Sequence, residues 1–69
     1  MNIQVRSGDG EVTATVSQRR MMLGQLNLLV EFSPTNRQWM PADNSNLLLT
    51  NEQIKQIKYL RWYAGRKGL

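Results

Sequence analysis

Two short alternating runs near the N-terminus set the frame within which the rest of the chain must fold. Ile3 and Val5 alternate with Asn2, Gln4 and Arg6, and Val12, Ala14 and Val16 alternate with Thr13 and Thr15. A period of two sends successive side chains to opposite faces of a strand. Ser7-Gly8-Asp9-Gly10 between the runs is a cluster of turn formers. The spacing therefore predicts a β-hairpin with Ile3, Val5, Val12, Ala14 and Val16 on one face and polar residues on the other.

From Ser17 onward two periods compete. Met22, Leu26 and Leu29 fall at helical spacing, whereas Leu26, Leu28, Val30 and Phe32 alternate as in a strand, and Gly24 disfavours a helix through the segment. The reading adopted is a loop or single turn over Gln18 to Gly24, then a strand from Gln25 to Phe32. Leu29 would lie opposite Leu28, so this strand is either covered on both sides or pairs with another chain. Ser33-Pro34-Thr35-Asn36 supplies a turn, and Arg37 to Met40 the returning strand. Trp39 is assigned to the core; exposed, it would join Arg37 as an aromatic and cation pair. Ala42 to Asn46 reads as a polar loop, because Asp and Asn side chains bond their own backbone.

The best-specified element is the last. Thr50 stands at an N-cap position with Gln53 three residues on, a capping box, and Leu49 and Ile54 form a hydrophobic staple around it. Gly65 is placed to end the helix, so the predicted helix runs from Asn51 to Ala64. On its wheel Ile54, Ile57, Leu60, Tyr63 and Ala64 form an apolar stripe that packs on the sheet. The opposite arc gathers Lys55, Lys58, Arg61 and, past Gly65, Arg66, with Trp62 among them.

Composition decides which functions this frame can serve. The 69 residues hold no cysteine and no histidine, so disulfides, thiolate nucleophiles, Cys/His zinc sites and imidazole bases are excluded. The five carboxylates are scattered, and no catalytic residue, metal or cofactor is assigned. Apolar runs reach only three residues, too short for a membrane span, and no signal peptide is read at the N-terminus. No membrane partner is expected, and a cytoplasmic location is. The length suits one domain, 1–69, of the α+β class: a small antiparallel sheet of about four strands in two hairpins, packed by one C-terminal amphipathic helix.

Nine Lys and Arg against five Asp and Glu give a net charge of +4, which points to anionic partners. The leading expectation is a non-catalytic protein that binds nucleic acid through Lys55, Lys58, Arg61, Trp62, Arg66 and Lys67, with cations on phosphates and Trp62 stacking on a base. Arg19 and Arg20 are possible helpers. With Met21-Met22-Leu23 they form an adaptable recognition loop or a dimer seam, or else the methionines fill the core and the arginines are solvated. The competing expectation is an inhibitor or regulator docking on an acidic surface of a larger protein, with Trp62 as the anchor. A plainer reading leaves the late cations to the helix dipole and Trp62 to their aliphatic stems. A small domain without crosslinks also favours a homo-oligomer, a dimer or a subunit of a larger homomeric assembly.

Overall fold

A computed structural model describes residues 1–62 of the chain. The first hairpin forms as its alternation requires: β1 (Asn2–Ser7) pairs antiparallel with β2 (Gly10–Met22), with Ile3 opposite Ala14 and Val5 opposite Val12. The turn is Gly8-Asp9, with Gly8 at φ +59° and Asp9 not in the positive region. A glycine at the first central position of a two-residue hairpin turn is the type II′ pattern, whose twist matches that of the strands.

β2 does not stop at Ser17. It continues to Met22 and pairs with β3 (Gln25–Ser33) from Thr15 opposite Glu31 to Met22 opposite Gln25, so the loop expected over Gln18 to Gly24 is strand except at its end. Polar Gln18 and Arg19 are carried in a strand because both backbone edges there find ladder partners, Leu29 and Leu28 on one side and Arg61 and Trp62 on the other. The turn is Leu23-Gly24, at φ +51° and +76°. Two positive φ angles make a type I′ turn, in which Asn-Gly is the preferred pair; Leu23 holds a left-handed conformation that costs an ordinary residue about 1 kcal/mol.

β3 pairs in turn with β4 (Asn36–Pro41), completing a four-strand meander. A fifth strand, β5 (Leu47–Leu48), pairs with β1 at the far edge and gives the order β4-β3-β2-β1-β5. The expected four strands are thus five in the antiparallel sheet. The extra one forms because buried Leu47 faces the core and its backbone completes the edge of β1.

The connection from β4 to β5 shows that the sheet is bent. Ala42 N–H donates to the Leu26 carbonyl at 2.9 Å, and Arg6 N–H donates to the Asn46 carbonyl at 2.8 Å. From Ala42 to Asn46 the chain reaches about 15 Å at most, so Leu26 and Arg6 lie within about 25 Å. Their partners on β2, Met21 and Glu11, are ten positions apart, which in a flat sheet would separate them by about 33 Å along the strand alone. The bend has a location. Pairing with β3 shifts between Val16 and Gln18, leaving Ser17 as a bulge residue, and bulges bend and twist their strand.

The core lies inside this curl: Ile3, Val5, Ala14, Val16, Leu28, Val30, Leu47 and Ile57. Four of them, Ile3, Val16, Leu28 and Val30, are fully buried, each worth about 2 kcal/mol in apolar transfer. The helix α1 (Asn51–Ile57) contributes Ile57. Its start is as expected: Thr50 Oγ1 accepts from Gln53 N–H at 3.1 Å, and Gln53 Oε1 accepts from Thr50 N–H at 2.9 Å. Gln53 Nε2 also donates to the Asn2 carbonyl at 2.8 Å, which ties the helix to β1.

The helix ends seven residues in, with Lys58 as its C-cap, and does not run to Ala64. Tyr59 and Leu60 N–H groups donate to the Gln56 and Ile57 carbonyls, the tightened final turn of a terminating helix. The chain then forms β6 (Arg61–Trp62), parallel to β2 with Arg61 opposite Gln18 and Trp62 opposite Arg19. β1 pairing ends at Thr15 and Met1 bonds the backbone of Val16, so beyond Val16 the edge of β2 offers backbone groups that a strand satisfies and a helix does not. Gly65 and the positions from Tyr63 onward lie outside the described residues.

Candidate binding surface

The bulge at Ser17 decides where the arginines of β2 go. Before it, Ala14 and Val16 are buried in the core and Val12 lies on the same face but is 41% exposed; after it, the inward set is Arg19 and Met21, in register with Leu28 and Leu26, and the outward set is Gln18, Arg20 and Met22, in register with Leu29, Asn27 and Gln25. A second shift between Glu31 and Ser33 acts likewise on β4: Trp39 is opposite Leu29 and Met40 opposite Leu28. The outer face therefore carries Gln18, Arg20, Leu29 and Trp39 across three adjacent strands.

Trp39 is thus half-buried on the outer face, outside the buried core cluster to which the sequence assigns it. Its cation is Arg20, whose guanidinium carbon lies 4.3 Å from the ring centroid. That is well inside the range in which an indole face attracts a cation. Arg37, the partner expected for an exposed Trp39, meets Glu31 instead at 3.8 Å, and Ser17 Oγ donates to the same carboxylate at 3.2 Å. Asn27, buried on this face between Arg20 and Pro41 in register, donates from Nδ2 to the Gln25 carbonyl at 3.1 Å.

The residues expected on one helical arc are divided. Lys55 and Lys58 are exposed on and just after α1, with Lys58 Nζ 5.0 Å from the Tyr59 ring centroid. Arg61 and Trp62 stand on β6 beside Gln18 and Arg19. Arg66 and Lys67 lie outside the described residues. The helical arc is not formed: the backbone of Arg61 and Trp62 lies along β2, opposite Gln18 and Arg19. The pairing of Trp39 with Arg20 escapes a reading of the sequence, because unbulged counting back from Ser33 opposite Asn36 sets Trp39 against Val30, a core position.

The far end of the β2–β3 hairpin is apolar and open. Leu23 is fully exposed at 105% and Met21 is 50% exposed, so Met21 does not fill the core; Met22, Arg19 and Arg20 are half-buried. Beside the hairpin, an open groove of about 470 Å³ lies between α1 and residues 42–49, with Leu26, Ala42, Asp43, Leu49 and Ile54 in its lining. Among the described residues no group of three His, Cys, Asp or Glu side chains is placed to hold a metal, and no helix is long and apolar enough to cross a membrane. No protein family, curated protein or solved structure matches the chain.

Proposed function

We propose that this chain is a non-catalytic binding protein that engages nucleic acid through Arg20 on the outer face of β2, with Arg19, Lys55, Lys58 and Arg61 adding positive charge. The observation that carries this reading is the Arg20 guanidinium held 4.3 Å over Trp39. Stacking on an indole fixes the plane of a guanidinium and removes rotamer freedom, so its fork is preorganised for the oxygens of a phosphate. Arg19 is next to it on the strand, turned to the other face of the sheet, and the backbone of Arg61 is paired with that of Gln18, two positions from Arg20. The net charge of +4 supplies attraction toward a polyanion.

Phosphate contacts make affinity depend on salt. If four phosphates of a single strand are neutralised, log affinity falls against log salt with a slope of about −3. Arg20→Ala should lower affinity and flatten that slope by about 0.7, the share of one phosphate. Fluorescence anisotropy with a labelled single-stranded oligonucleotide reads both quantities. The absence of any complex at low salt would contradict the proposal and leave an acidic protein surface as the anion such a face would take.

A further inference from the structure

The β2–β3 hairpin presents a knob, and the same molecule carries a matching hole. Leu23 is fully exposed at the tip, with half-exposed Met21 behind it. It occupies a left-handed position, φ +51°, where Asn or Gly would sit without strain. The sequence thus accepts both solvent exposure and an unfavourable backbone to keep a leucine there. The hole is the groove between α1 and residues 42–49, whose apolar lining includes Leu26, Leu49 and Ile54, the last 54% exposed.

Knob and hole are adjoining. Leu26, three residues from Leu23 on the same hairpin, lines the groove, and Met21 is in register with Leu26. Where a projection and a recess lie side by side on one surface, a two-fold axis between them seats each projection in the recess of the other copy, and one patch serves both partners. The charges agree. The strand behind the tip carries Arg19 on the same face as Met21 and Leu26, while Asp43 lines the groove and Glu52 is exposed in the first turn of α1.

We infer that this chain forms a two-fold dimer in which Leu23 of each copy enters the groove between α1 and residues 42–49 of the other. The outer face with Arg20 and Trp39 is not used by this contact, so the dimer and the nucleic-acid reading stand or fall separately. Sedimentation velocity on nuclease-treated full-length protein tests it. The wild type should sediment at twice the 8.0 kDa of one chain. Leu23→Asn, which suits the turn, and Ile54→Lys, on the exposed side of the helix, should each sediment as single copies with unchanged far-ultraviolet circular dichroism. A folded Leu23→Asn that remains dimeric overturns the inference. So does a wild type that stays monomeric at every concentration, which would leave the groove to an unrelated partner, or one whose mass grows beyond two copies, the mark of an open head-to-tail contact.

Discussion

The two hairpins that share β2 obey different rules. In the β1–β2 hairpin the pairing runs from Asn2 opposite Thr15 to Ser7 opposite Gly10 without a shift, and the positive φ of the turn falls on Gly8. In the β2–β3 hairpin the pairing carries a bulge, the turn places Leu23 at positive φ, Leu23 is fully exposed and Met21 half-exposed. Proximal and distal parts of one strand thus differ in how far local preference agrees with structure. Sequences tend toward such agreement throughout, and departures concentrate where function competes with folding. The proximal hairpin follows its local preferences; the distal one shares the core through Leu28 and Val30 and also carries Arg20, which stacks on Trp39 of β4, and the exposed leucine.

That contrast can be broken by substitution. The largest effect should come from the shared core: Leu28→Ala removes a side chain with no exposure and should destabilise by about 3 kcal/mol in denaturant unfolding. A loss under about 1 kcal/mol would mean that the distal half of the sheet is not packed as described. Next come the turns, where the two hairpins should respond with opposite signs. Gly8→Ala should cost about 1 kcal/mol, because φ is +59° there. Leu23→Asn, measured on dilute protein, should gain up to about 1 kcal/mol by relieving the strain. Equal signs would erase the comparison.

Thr50→Ala should cost about 1 kcal/mol through loss of the capping box, placing α1 with the rule-abiding part of the molecule. The smallest effect is expected at Arg37. Its ion pair with Glu31 is largely exposed, so Arg37→Ala should change stability by less than about 0.5 kcal/mol. Arg37→Ala should also leave oligonucleotide affinity closer to wild type than Arg20→Ala does, since Arg37 lacks the indole that orients Arg20.

What the sequence makes legible follows the same division. The alternation of Ile3 and Val5 with Val12, Ala14 and Val16 reports the proximal hairpin directly, and Thr50 with Gln53 reports the start of α1. Both are local signals, complete within a few residues. The bulges at Ser17 and between Glu31 and Ser33 have no such signal, yet each moves every later side chain to the other face. That is why the core assignment of Trp39 fails and why its contact with Arg20 goes unseen. The end of α1 is nonlocal in the same way. The apolar spacing through Leu60 and Tyr63 suits a helix, but the edge of β2 beyond Val16, a feature of the assembled sheet, takes Arg61 and Trp62 as a strand.

On the proposed dimer, the distal hairpin keeps a strained, exposed leucine because that end of the molecule meets a second copy. Amide spectra of uniformly labelled, nucleic-acid-free protein across a dilution series test it residue by residue. The account predicts that the amides of Met21 to Leu26 and of the groove residues 42–54 move together with concentration, while those of Ser7 to Gly10 at the other turn stay fixed. Spectra unchanged at every position, or changes centred on the proximal turn, would contradict it.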